Sequence, residues 1–152
     1  MITVEDSTIT CDEFKNRLVA LCVQGHLSGF PRKPRDRHIL LKSIVLTLDL
    51  AQAYAERDIN EKLKEWLANT GRCIDLDHVS MRRELVDEGY LQRDSSGARY
   101  RISAFGPSQK IFETAVDDID PFEVICTGRA LAEKRKQEHM QSGPGGLGKQ
   151  RQ

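Results

Sequence analysis

No stretch of this 152-residue chain approaches the roughly 20 consecutive apolar residues that a membrane-crossing helix needs. The opening MITVEDSTIT also lacks the basic-then-apolar order of an export signal. A cytoplasmic protein with no membrane partner is therefore expected. An excess of one charge is missing too: 23 basic residues stand against 23 acidic ones, which excludes a strongly cationic nucleic-acid coat. Paired cysteines are absent. Cys11, Cys22, Cys73 and Cys126 are widely spaced with no CxxC, so reduced thiols are expected rather than a disulfide frame. Cys22 and His26 stand four apart, but Gly25 interrupts them and no second ligand pair follows, so neither a metal nor another cofactor is expected. There is no Gly-rich phosphate loop and no Ser or Cys nucleophile motif. His26, His38, His78 and His139 are scattered without matched partners, so an enzyme is not expected.

What the chain does contain is a succession of helix signals. Thr10-Cys11-Asp12-Glu13 reads as a capping box, in which the Thr and Glu side chains each satisfy a free backbone N–H. Phe14, Leu18, Leu21 and Cys22 then recur at helical spacing until Gly25, Gly29 and Pro31. FPRKPRDRH, Phe30 to His38, is the most basic local patch, and its two prolines predict an extended arm. A second helix is predicted from Arg37 to Ala51, with Leu40, Leu41, Ile44, Val45 and Leu48 as a broad core face. A third is predicted to open at Tyr54 and bury Ile59, Leu63, Trp66 and Leu67. A fourth starts near Asp75 or Asp77 and ends at Gly89, which should adopt positive φ as the residue just past the helix.

Tyr90 and Leu91 then lead through Ser95-Ser96-Gly97 into Ala98 to Ile102, a hairpin. The predicted fold is mostly α with a small β-hairpin: a winged helix-turn-helix with additional N- and C-terminal helices. The expected organisation is an N-terminal amphipathic helix over 1–29, a winged-helix-like domain over 30–102, a C-terminal helical extension over 103–141 and a disordered tail over 142–152. In the extension, Ile111, Phe112, Ala115 and Val116 suggest a short covering helix. Asp120-Pro121-Phe122-Glu123 is a strong start for a last one, with Asp as cap and Pro at the first helical position.

FPRKPRDRHILLKSI, YAERDINEKLKEWL and DHVSMRRELVDEGYLQRD, between Phe30 and Ile102, together resemble the bacterial family catalogued as domain of unknown function 2087. The resemblance implies a winged-helix-like fold and a transcriptional setting, and it assigns no activity. The family usually places Thr or Ser between the Tyr and Glu of the third helix; Ala55 stands here, a poorer cap by about 1 kcal/mol.

Three groups are candidates for nucleic-acid contact. On the fourth helix, His78, Ser80, Arg82 and Arg83 occupy the N-terminal, outward positions that meet base edges in a helix-turn-helix. Against that, Arg83 and Asp87 stand four apart and can pair, and Arg82 falls where its stem would be partly buried. On the hairpin, Arg93, Arg99 and Arg101 form a wing suited to phosphates, with Arg99 and Arg101 pointing the same way. In the arm, Arg32, Lys33, Arg35 and Arg37 resemble the segments that supplement helix readers. Between Phe30 and Ile102 there are 14 cations against 12 acids, a formal +2, which is thin for a partner bound through its phosphates. Two readings follow: double-stranded DNA bound by a transcription-associated winged helix, or a protein partner or second copy bound through the terminal helices.

Overall fold

The computed structural model describes residues 8–104 and 106–150, the side chains of 109 and 141–150 excepted. The chain is mostly helical with one small sheet, as the sequence predicts. α1 (Cys11–Val19) is capped by Thr10, whose hydroxyl accepts from Glu13 N–H at 3.1 Å, and passes into a five-residue π-helical turn, Ala20–Gln24. Only half of the expected capping box forms: the Glu13 carboxylate binds Arg35 instead of reaching back.

α2 (Pro34–Val45) starts three residues before the prediction and ends six before it. Pro34 sits in the first turn, where its fixed φ is pre-organised and its missing N–H costs nothing. Arg35, Arg37 and His38 are thus helical, and no extended arm carries them. Ile39, Leu40, Leu41 and Ile44 are fully buried, which makes α2 the central helix. Tyr54 does not open a helix either. Tyr54–Ala55 is a two-residue strand, β1, with Ala55 at the N-cap of α3 (Glu56–Ala68) and, as its methyl side chain requires, no capping hydrogen bond.

α4 (His78–Asp87) is capped by Asp77, which accepts from Ser80 N–H at 2.7 Å. It ends as predicted: Gly89 has φ of 83°, its N–H bonds Val86 O, and Tyr90 N–H bonds Leu85 O. That paired return is a Schellman motif, with Tyr90 and Leu85 both fully buried beneath it. β2 (Leu91–Arg93) and β3 (Arg99–Ile102) form the hairpin, and β1 adds a third antiparallel strand in the order β1-β3-β2. The register pairs Tyr54 and Arg93 each with Tyr100, and Ala55 with Arg99.

Beyond the sheet, α5 (Pro107–Lys110) and a 3₁₀ turn (Thr114–Asp118) stand where one short helix was predicted, with Phe112 and Val116 buried as expected. Ile9 bridges Phe112 in parallel, with Ile9 N–H on Ile111 O at 2.8 Å and Glu113 N–H on Ile9 O at 2.9 Å. Phe14 of α1 meets Phe112 edge to face. α6 (Pro121–Gln150) begins as predicted, Asp120 accepting from Phe122 N–H. On its first turns Ile125 is buried while Phe122 and Cys126 are exposed. Gly128, one turn on, lies against Val19 of α1. The bounds of α6 run into the segment expected to stay unordered. Nothing in its composition, with Pro144 and four glycines, explains helical backbone there, and 151–152 lie outside the described residues.

Candidate nucleic-acid interface

At 100° per residue, α4 turns Met81 and Leu85 into the core and leaves Val79, Ser80, Arg83 and Asp87 outward. Arg82 and Val86 fall on one flank, Glu84 and Glu88 on the other. The two flanks are occupied by other helices' charges. On the first, Arg82 donates to Asn60 Oδ1 of α3, stands 3.9 Å from Glu56, and lies over the buried Tyr100 ring at 5.5 Å. On the second, Arg37 of α2 bonds Glu88 at 3.0 Å and Pro31 O at 3.3 Å, with Glu84 at 3.9 Å. Burial raises the Glu84 carboxyl above its usual range, against the pull of Arg37.

Of the predicted arm, Arg35 grips Glu13 with two hydrogen bonds of 2.7 and 2.6 Å, and that contact holds the Glu13 carboxyl below its usual range. Arg35 and Arg37 are inter-helix ties, each hydrogen-bonded to an acid of another helix. Their neighbour Asp36 is almost buried and holds Arg17 of α1 in a bidentate pair. Arg32 and Lys33 are exposed on the turn before α2. Sequence reading overlooked the anchors. Glu56 and Asn60 stand four apart on α3, a spacing that puts both on one helix face and could have flagged a shared partner.

The outward residues make a different set. Arg83 is exposed and forms no ion pair with Asp87 or any other described residue, so the predicted i, i+4 pair is absent. Ser80 Oγ is turned back onto Asp77 Oδ2, and His78 is half-buried. Asp77 is held below the usual carboxylate range by the Ser80 backbone N–H and hydroxyl, so the cap stays anionic at the helix start. On the hairpin, Arg93 shares the face of Tyr100, 5.6 Å from its ring centre, and donates to Gly97 O. Arg99 and Arg101 point together to the other face, exposed, with Arg99 reaching Ala53 O at 3.5 Å. Asp94 shapes the turn by accepting from Ser96, Ala98 and Arg99, which holds its carboxyl low. Between α4 and the hairpin lies an open groove of about 260 Å³ lined by Val79, Val86 and Tyr100 together with Arg82, Arg83, Arg93 and Asp87.

Behind α4, His38 Nδ1 meets the Tyr90 hydroxyl at 2.8 Å. Burial lowers the His38 pKa, Arg37 lowers it further, and Glu88 opposes both. The unfolded chain then binds the proton more readily, so this stability is complete above about pH 6.5 and is lost as pH falls toward the folded value. His38→Gln is expected to flatten the fall in urea midpoint between about pH 7 and about pH 5.5. An unchanged slope in that window would place the proton uptake elsewhere.

Among the described residues no group of three or more His, Cys, Asp or Glu is placed to hold a metal ion, and no helix is long and apolar enough to cross a membrane. No curated protein and no solved structure matches the chain significantly. A family model does. It covers residues 26–102, half of the chain, and takes in α2, the three-stranded sheet, α3 and α4 with the Arg37 and Arg82 ties, while Arg35 and Asp36 reach out of it to Glu13 and Arg17 of α1. The chain therefore belongs to the family described as "Uncharacterized protein conserved in bacteria (DUF2087)".

Proposed function

We propose that this chain is a winged-helix nucleic-acid-binding protein that meets duplex DNA with the outward face of α4 and the β2–β3 hairpin, in a transcription-associated role. The winged-helix reading is supported by the order helix, strand, helix, helix, hairpin and by the sheet order β1-β3-β2. The observation that carries the function is the division among the arginines. Arg35, Arg37 and Arg82 are tied to acids or amides of neighbouring helices, whereas Arg83 and Arg101 are exposed with no partner among the described residues. Arg93 and Arg99 add exposed cations bonded only to backbone carbonyls. Contact with phosphates draws on such uncommitted cations, here divided between the α4 groove (Arg83, Arg93) and the opposite face of the hairpin (Arg99, Arg101). The acids Asp77 and Asp87 on the same helix argue for modest affinity, with the hairpin as the main grip.

The alternative, a protein partner held through the terminal helices, is weakened by α1, whose apolar residues Phe14 and Leu18 are fully buried in the core. It keeps one support, the exposed Leu131 and Met140 on α6.

Fluorescence anisotropy with duplex DNA at several salt concentrations tests the reading. The Arg93→Ala, Arg99→Ala, Arg101→Ala variant is expected to bind all duplexes more weakly, with the slope of log K against log salt shallower by roughly 0.9 for each phosphate no longer neutralised. Arg83→Ala should cost about 1–3 kcal/mol on a preferred sequence and little on others. Arg37→Ala serves as control: it should lower stability while leaving the salt slope alone. Wild-type protein that binds no duplex more tightly than about 10⁻⁴ M would sink the proposal.

A further inference from the structure

Two of the four cysteines, expected from sequence to be isolated, meet in the fold. Cys22 lies in the π-helical turn that ends α1, and Cys73 lies in the connection from α3 to α4. The two segments are laced together: Leu27 N–H bonds Cys73 O at 2.9 Å, Asp75 N–H bonds Leu27 O at 2.7 Å, and Leu27 bridges Ile74 in parallel. This lacing turns the Cys73 side chain toward the end of α1, where its thiol donates to Leu21 O at 3.2 Å, next in the chain to Cys22. Cys22 is buried and Cys73 is half-buried, so reagents reach the pair from the Cys73 side.

The surroundings divide the labour between the sulfurs. The hydrogen bond from Cys22 lowers the Cys73 pKa most, burial opposes it, and the Cys73 backbone N–H and Arg129 of α6 lower it further. Cys22 moves the other way, its thiol held protonated by the same hydrogen bond and then by burial. Arg129 is fixed there by its own bond to Asn69 O at 2.8 Å. A reachable thiolate beside a buried thiol is the arrangement in which one sulfur attacks and the other resolves.

We propose that Cys22 and Cys73 are a peroxide-reactive dithiol, with Cys73 as the attacking sulfur and Cys22 as the resolving one. The Cys73 thiolate attacks one oxygen of hydrogen peroxide, the O–O bond breaks, and hydroxide leaves, giving a sulfenic acid. The hydroxide takes the Cys22 proton and becomes water. The Cys22 thiolate attacks the sulfenic sulfur, the S–O bond breaks, and the second hydroxide takes up the proton that Cys73 released on ionising. Two thiols and one peroxide thus give one disulfide and two waters, with two electrons passing from sulfur to oxygen. The bond would staple the end of α1 to the loop that leads into the Asp77 cap of α4. The inference stands whether or not α4 meets nucleic acid.

The test uses the full chain under limiting hydrogen peroxide, followed by alkylation of residual thiols and peptide mass mapping. Expected is a Cys22–Cys73 cross-linked peptide that dithiothreitol reverses, while Cys11 and Cys126 remain alkylated. In Cys22→Ser, dimedone should trap a sulfenic acid at Cys73; in Cys73→Ser, Cys22 should stay reduced. Because a buried Cys22→Ser can fail to fold, the wild-type alkylation rate of Cys73 against pH is measured as well, and its midpoint is expected below the about 8.5 of an unperturbed cysteine. Peroxide consumed at Cys126 with Cys22 and Cys73 left as thiols, or Cys73 alkylating with the midpoint of an ordinary cysteine, would overturn the proposal.

Discussion

Lys42→Ala is expected to lower the stability of this protein by about 3–5 kcal/mol, read as a fall in the urea midpoint with unchanged slope. Lys42 stands in the middle of α2 and is 2% exposed, an unusual place for an ammonium group. Its Nζ donates to Ser108 O at 2.8 Å, Ser108 Oγ at 3.0 Å and Asp117 Oδ1 at 2.7 Å, and sits 5.3 Å from the Phe112 ring centre. One side chain therefore fixes α5 and the 3₁₀ turn onto the core. Alanine removes both the buried stem and the head. Lys42→Met keeps the stem and loses only the head, so its cost should be about 1–2 kcal/mol, chiefly the unpaired Ser108 carbonyl. Asp117 is half-exposed and regains water, which is why its share is small. Equal losses in the two variants would mean that the stem packing contributes nothing.

A second large effect is expected at Gly71. A Cβ there would lie 2.1 Å from Cζ3 of Trp66, with two further ring atoms at 2.6 and 2.7 Å. The ring cannot yield cheaply, since Trp66 is 2% exposed and its Nε1–H donates to the buried Ser43 Oγ at 3.2 Å. Gly71→Ala should cost about 2–4 kcal/mol, the sum of overpacking and a weakened buried hydrogen bond. Trp66 is the only tryptophan, so its emission reports the displacement directly. In a Trp66→Phe background the same substitution should cost measurably less. A penalty that persists unchanged there would show that the clash is not with the indole.

Elements that declare themselves locally were legible in the sequence. α4 carries its own cap at Asp77 and its own stop at Gly89, and α6 announces itself through Asp120 and Pro121. What escaped depends on partners far along the chain. β1 is two residues long and is a strand only because Tyr54 and Ala55 meet Tyr100 and Arg99. The arm was read as free charge because its acids are distant: Glu13 lies 22 residues from Arg35, and Glu88 lies 51 from Arg37. Counting charge by segment cannot detect such pairs. The candidate interface was legible in part for the same reason. Arg99 and Arg101 share a face by strand alternation alone, whereas the separate fates of Arg82 and Arg83 follow from Asn60, a residue on another helix.

The bridge between Ile9 and Phe112 sets an order of events during synthesis. Closing a loop of about 100 residues costs only slowly growing entropy, yet that cost must be met before any contact across it is rewarded. The turns and neighbouring contacts of α3, α4 and the hairpin can form as each stretch emerges from the ribosome. Phe14 and Ile9 emerge early, but Phe112, which completes their packing, follows about 100 residues later, roughly 5–20 seconds at ordinary elongation rates. For that interval the apolar side of α1 lacks the Phe112 ring, and α6, which lays Gly128 against Val19, follows later still. A nascent chain stalled before Phe112 would therefore present that side of α1 to whatever chaperone or other chain is nearest.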